Sequence, residues 1–83
     1  MDPILSESKY MKTTLTKPEG RKTYICKITE KADEFNFLGE VKWYPPWRSY
    51  CFCPGNETVF NVGCLGKIYD WVVEMNLNHK TNT

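Results

Sequence analysis

The residues of this chain that could do chemistry are its cysteines, its single histidine and an aromatic, basic run from Gly39 to Pro54. In a strand, Cys51 and Cys53 would point to one face, since the side-chain period is two. With two further ligands they would resemble a zinc site, the remaining candidates being Cys26, Cys64 and His79. The C-x-C spacing fits the usual zinc knuckles poorly, and we therefore expect free, buried thiols with no metal and no cofactor.

Catalysis has no signature in the sequence. General acid–base chemistry needs a positioned carboxylate or histidine in a pocket, whereas Glu40, Asp70 and Glu74 are isolated from one another. His79 lies in a polar tail and is interpreted as a solvated residue. Cys64 lies near a predicted helix start but has no visible base, and no phosphate loop is present. We expect that the protein is not an enzyme.

The run GEVKWYPPWRSYCFCP indicates two short strands joined at a Pro-Pro corner. Tyr44 and Trp47 flank the two prolines, and exposed aromatic rings beside cations are typical of binding surfaces. The alternative is that these rings only build the core of a small domain, and this is favoured for Trp43, Tyr50 and Phe52. The predicted partner-binding residues are Lys42, Tyr44, Trp47 and Arg48.

The two prolines constrain the corner. They exclude the primed two-residue turns, which need positive φ, so either the bond before Pro46 is cis or the loop is longer. A loop with an even number of residues would pair Trp43 with Arg48, and Val41 with Tyr50. That parity places Val41, Trp43, Tyr50 and Phe52 on a core face, which separates apolar from polar side chains better than an odd loop. It also predicts a contact between Arg48 and Trp43.

Periodicity predicts a small α+β domain. A three-stranded antiparallel sheet is expected from strands at residues 22–31, 37–44 and 47–53, covered by one C-terminal helix over 62–76 that Asn61 caps. Residues 1–20 fit neither template and are interpreted as a flexible arm, residues 21–77 as the domain, and 78–83 as a disordered tail. The predicted core comprises Ile28, Val41, Trp43, Tyr50, Phe52, Leu65, Ile68 and Val72.

Composition limits the classes of function. The chain has 83 residues, enough for one domain. Its net charge of +1 is too close to neutral to indicate nucleic-acid binding from charge alone. No stretch approaches the ~20 apolar residues of a membrane span, and no signal-peptide pattern precedes the domain. We therefore expect a cytoplasmic protein, in a host cell if it is phage-encoded, with disulfides disfavoured by the reducing compartment.

Residues 38–76, about half of the chain, resemble a family of small proteins encoded by bacteriophages and prophages. Its pattern is a Gly, an aliphatic residue and a Trp, then W-R-x-Y-x-F-x-P, T-V-F and a Cys-Leu pair before an apolar helix. The matching residues are Gly39, Val41, Trp43, Trp47, Arg48, Tyr50, Phe52, Pro54, Thr58, Val59, Phe60, Cys64 and Leu65. The chain departs at Pro45, where the pattern has Gly, and at Cys53, where it has an aromatic. The resemblance implies an origin and no activity.

Two hypotheses of function follow. In the first, the protein contacts and modulates a host or phage protein through the aromatic hairpin, and the near-neutral charge favours this one. In the second, it is an accessory protein that binds nucleic acid through the same hairpin and a basic arm. That arm comprises Lys9, Lys12, Lys17, Arg21 and Lys22. A homodimer through an unpaired sheet edge is compatible with either, and no membrane partner is expected.

Overall fold

The computed structural model describes residues 2–81 and has two layers, a four-stranded antiparallel sheet and one helix. The strands lie in the order β1-β2-β3-β4 and are β1 (Met11–Thr16), β2 (Ile25–Glu30), β3 (Phe37–Tyr44) and β4 (Ser49–Pro54). A 3-10 turn (Pro45–Trp47) joins β3 to β4, and helix α1 (Val62–Thr81) follows. The predicted α+β class with a C-terminal helix is confirmed.

The prediction of a three-stranded sheet with a loose N-terminal arm is wrong, because β1 lies within that arm. β1 pairs with β2 along its whole length, from Met11 opposite Glu30 to Thr16 opposite Ile25. Met11 is buried and Leu15 packs against the core. Both side chains lie on the same side of the strand, because they are four residues apart. The threonines of MKTTLT suit a strand, but the strand needs the edge of β2 to supply its backbone hydrogen bonds.

Residues before β1 are held against the helix by Ser6. Its N–H and hydroxyl donate to the Glu74 carboxylate over 2.9 Å and 2.6 Å. Its carbonyl accepts a 2.7 Å hydrogen bond from Nε1 of Trp71, a buried ring on α1. The neighbouring Leu5 packs against the core. These contacts tie the segment before β1 to the middle of α1.

The core lies between the inner face of the sheet and α1. One row crosses all four strands through Leu15, Cys26, Val41 and Phe52. The buried helix residues are Ile68, Trp71 and Met75. Leu65 was predicted to belong to this core, but its side chain is 51% exposed. Trp43, Phe52 and Val72 are half-buried at the edge of the core.

The register of β3 with β4 confirms the predicted faces and corrects the predicted pairs. Val41 lies opposite Phe52 and Trp43 opposite Tyr50, two positions away from the predicted partners. The connecting loop therefore holds an even number of residues, 45–48, and inner and outer side chains remain as predicted. Trp43 and Tyr50 contact each other edge to face, with ring centroids 5.4 Å apart.

Helix α1 begins and ends with identifiable side-chain contacts. Oδ1 of Asn61 accepts a 2.9 Å hydrogen bond from the Cys64 N–H, as the sequence predicts for an N-cap. The helix ends at Thr81, five residues beyond the predicted end at 76. It therefore includes residues 78–81 of the predicted disordered tail, and residues 82 and 83 lie outside the described residues. Asn76 explains part of this extension, because its amide binds both the N–H and the C=O of Tyr50.

Candidate functional site

The candidate site is the corner between β3 and β4, residues 44–48. Tyr44 is extended, as the residue before a proline must be, and Pro45 and Pro46 form the first two positions of the 3-10 turn. The Arg48 N–H donates to the Pro45 carbonyl over 3.1 Å. No peptide bond in residues 2–81 is cis. Of the two sequence-based alternatives, the structure therefore has the longer loop, with backbone rigidity supplied by the prolines.

The corner presents an aromatic pair to solvent. Trp47 is 73% exposed and Tyr44 is 40% exposed. Their rings meet edge to face, with centroids 5.1 Å apart and planes at 77°. Edge-to-face contact is a preferred geometry for two aromatic rings, so the rings orient each other while most of the indole stays accessible.

Arg48 ends the turn in a left-handed conformation, with φ 49° and ψ 46°. This conformation is usually taken by glycine after a helix, and it costs a residue with a Cβ roughly 1–2 kcal/mol. The predicted contact with Trp43 is absent, because Trp43 lies opposite Tyr50. The Arg48 side chain is exposed. Burial of this side chain therefore does not offset the free-energy cost of the left-handed backbone.

Lys42 lies on the outer face of the sheet, on the same side of β3 as Tyr44. Its ammonium group is 3.4 Å from the Glu40 carboxylate, and both side chains are partly exposed. An exposed pair of this kind contributes little to stability, about 0–1 kcal/mol, and the lysine can exchange it for another anion. Lys42 thus extends the exposed corner onto the sheet face.

The fold divides the predicted basic arm between the two ends of the sheet. Lys17, Arg21 and Lys22 lie in the β1–β2 loop, which reaches the end of the sheet where the corner lies. This loop contacts the hairpin directly, since the Tyr24 N–H donates to the Tyr50 hydroxyl over 3.0 Å. The other two arm cations precede or begin β1, roughly 16 Å away along the strand.

The distant pair of arm cations has local partners. Lys12 binds the Glu34 carboxylate, and this lowers the pKa of that carboxyl. The Lys9 ammonium group lies 5.4 Å from the centre of the Tyr10 ring. The structure therefore brings three of the five predicted arm cations to the end that carries the corner, and not the other two.

The cysteines are all free thiols. Cys26 is fully buried, and burial raises its pKa to about 12. Cys51 and Cys53 share the outer face of β4, as predicted, but within residues 2–81 no three His, Cys, Asp or Glu side chains are close enough to hold a metal ion. Reactivity as a thiolate nucleophile is disfavoured for Cys26, because burial keeps it protonated.

Sequence reasoning missed the role of His79, which it interpreted as a solvated tail residue. The imidazole packs on the Trp43 ring with centroids 4.5 Å apart and lies 5.9 Å from the Tyr50 ring. It therefore supports the inner side of the hairpin whose corner is exposed. The sequence did contain a signal for this contact. In a helix, position 79 lies on the same face as 72, 75 and 76, which contact the sheet or the core.

Comparison with known proteins finds similarity to a phage protein. An uncharacterized 9.3 kDa protein of Acholeplasma phage L2 is 27% identical over 71 residues, which cover 86% of this chain and 90% of that protein. No protein-family model and no solved structure matches. The chain is thus similar to a small phage protein of undescribed activity. Among the described residues, no helix has the length and apolar character needed to cross a bilayer.

Proposed function

We propose that this protein is a non-enzymatic binding protein that contacts and modulates a host or phage protein through the corner at residues 44–48. The observation that supports the proposal most strongly is Trp47, a large apolar side chain left 73% exposed on a backbone that two prolines make rigid. Trp, Tyr and Arg are the residue types that dominate binding energy at protein interfaces, and the corner carries one of each.

The strain at Arg48 supports the same surface. A glycine would adopt its left-handed conformation without a steric penalty, and the arginine side chain makes the site less stable. An outlier of this kind is a reason to look for a function of the side chain. The similarity to a phage protein fits a small accessory role, although that relative has no described activity.

Nucleic acid is the second candidate partner. It is supported by Lys17, Arg21 and Lys22, which the β1–β2 loop carries to the end of the sheet where Trp47 lies. Bases stacked on an exposed aromatic ring contribute about 1–3 kcal/mol each, and phosphate contacts supply the rest. We place it second because two of the five arm cations lie at the other end and the chain has a net charge of only +1.

Replacing Trp47 by alanine is expected to weaken partner binding by about 30-fold or more, the effect of losing a central anchor of at least 2 kcal/mol. The free energy of unfolding should change by less than about 0.5 kcal/mol, because the side chain is mostly exposed. The measurement is quantitative capture from a bacterial lysate with wild-type and variant baits. The control is Val59→Ala, which removes a side chain that is 91% exposed elsewhere.

The same baits separate the two partners. A protein retained by the wild type and by Val59→Ala, and lost with Trp47→Ala, supports the proposal. Nucleic acid would be the partner instead if oligonucleotides quench the tryptophan fluorescence and the quenching fades with salt. The double variant Lys17→Ala with Arg21→Ala should then reduce this quenching. Lys9→Ala with Lys12→Ala is the matched charge control at the far end of β1. If Trp47→Ala changes neither capture nor quenching, the corner is not the binding surface.

Arg48→Gly separates structure from function at the corner. Because glycine takes left-handed backbone freely, we expect this variant to be as stable as the wild type or more stable by up to about 1 kcal/mol. Binding of the captured partner should nevertheless weaken. Urea unfolding and titration of that partner measure the two effects. A variant that gains stability and binds equally well would show that the Arg48 side chain has no part in recognition.

A further inference from the structure

The exposed face of α1 is apolar along almost its whole length. Its exposed apolar residues are Val62 (86%), Leu65 (51%), Tyr69 (68%), Val73 (36%) and Leu77 (59%). Steps of three and four residues place Val62, Gly66, Tyr69, Val73 and Leu77 in one line parallel to the helix axis. The line faces away from the buried residues of α1, and an apolar strip of about 22 Å is unusual on a surface helix.

Gly66 lies in this line and has no explanation within one copy of the chain. A Cβ added there would meet nothing within 4 Å, and its φ is not in the left-handed region. Glycine inside a helix is less favourable than alanine, because more backbone freedom is lost on folding. A helix face that carries such a glycine among large apolar residues is suited to close approach by another backbone.

We propose that this face of α1 is a homodimer interface in which a second copy of the chain packs its own α1 in antiparallel orientation. A two-fold axis beside Tyr69 and Asp70 makes the strip complementary to itself. It places Gly66 opposite Val73 of the other copy, so the gap left by the glycine receives a β-branched side chain. It also places Val62 opposite Leu77.

The polar groups agree with this arrangement. The same axis places the Tyr69 hydroxyl of each copy beside the exposed Asp70 of the other, where the hydroxyl can donate to the carboxylate. Asp70 is the acidic group at the centre of the strip, and in this arrangement the Tyr69 hydroxyl of the other copy is its hydrogen-bond donor. A parallel arrangement would instead place the two Asp70 carboxylates side by side.

The available area fits a weak dimer. The exposed parts of the five apolar side chains amount to roughly 400 Å² for each copy, using the usual buried areas of such side chains. With the flanking polar residues, the two copies would bury on the order of 1,000 Å², the lower bound for specific interfaces. We expect a Kd on the order of 10⁻⁵ M.

The dimer leaves the candidate site open. The corner at residues 44–48 lies near the C-terminal part of α1, because the strands that flank it contact Asn76 and His79. The antiparallel arrangement therefore places the two corners at opposite ends of the pair. The inference stands independently of the proposed function, because it rests on a different face. If both hold, one dimer offers two binding corners.

Sedimentation velocity of the full chain from 5 to 500 µM tests the interface. The wild type should shift from monomer to dimer over this range. Val73→Glu and Tyr69→Lys should each raise the dissociation constant at least 10-fold, whereas Val59→Glu, a charge placed on an exposed loop residue, should leave it unchanged. A chain that stays monomeric at 500 µM would overturn the proposal, as would a dimer that neither helix variant weakens.

Gly66→Ala is the sharper variant. In the monomer it should raise Tm by roughly 4 °C, because alanine is the better helix former and the added methyl meets open space. In the dimer the methyl would meet Val73 of the other copy and weaken association. A more stable monomer with unchanged dimerisation would show that close approach at Gly66 does not occur.

Discussion

Replacing Trp71 by alanine is expected to remove about 3–5 kcal/mol of stability, the usual loss when a buried tryptophan is truncated. The ring is 1% exposed and sits between the sheet and the N-terminal segment. The change leaves a cavity and also removes the Nε1 donor of the Ser6 carbonyl. Small domains have a free energy of unfolding of only about 5–15 kcal/mol, so the variant should be largely unfolded in urea well below the wild-type midpoint.

Trp47→Ala is the matched control, since it removes the same side chain from an exposed position. Its free energy of unfolding, measured by circular dichroism in urea, should differ from the wild type by less than about 0.5 kcal/mol. Trp71→Phe should fall between the two, because it keeps most of the buried ring and loses the hydrogen bond to Ser6. Equal losses at Trp71 and Trp47 would contradict the packing described for α1.

Replacing Gly39 by alanine is expected to remove about 2–4 kcal/mol of stability. Gly39 follows the bulge at Leu38 with φ +155°, and a Cβ there would lie 2.7 Å from the Cys53 carbonyl oxygen. The Phe52 ring, also 2.7 Å away, could turn aside, but the carbonyl belongs to the backbone of the paired strand. Backbone strain of this kind costs about 1–3 kcal/mol before the clash is added.

Gly66→Ala is the control for Gly39→Ala, because the same methyl group is added where the structure has open space. At low micromolar concentration the two variants should shift Tm in opposite directions, down by about 10 °C or more for Gly39→Ala and slightly up for Gly66→Ala. A Gly39→Ala protein that melts within 2 °C of the wild type would show that the strand can accommodate a side chain at the bulge.

Local rules predicted the parts of this fold that depend on neighbouring residues. Asn61 caps α1 because its side chain accepts a hydrogen bond from the Cys64 N–H, only three residues further along the chain. The faces of β3 and β4 followed from the apolar alternation of Val41, Trp43, Tyr50 and Phe52, since the side-chain period of a strand is two. The prolines at the corner limited its conformation to two alternatives, a cis bond or a longer loop, and the structure has the longer loop.

The first strand was missed because its local signal is weak: the threonines of MKTTLT suit a strand, but an extended arm is equally compatible with them. Its inward residues are Met11, Thr13 and Leu15, a weak apolar alternation, and its hydrogen bonds come from β2. The consequence reaches the candidate site. Once β1 is a strand, the arm cannot act as one basic unit, because the strand holds Lys12 and Lys17 about 16 Å apart.

Sequence by itself determined the α+β class, the start of α1 and the exposed aromatic corner, because these follow from periodicity, a cap and two fixed φ angles. Tertiary structure decided how α1 is rotated on the sheet. Periodicity predicted Ile68 in the core correctly, but it also predicted Leu65, which is 51% exposed, and it missed Trp71, which is buried. The large Trp71 and Met75 side chains fill the space over Ile28 and Val41, so Leu65 and Tyr69 remain on the exposed side.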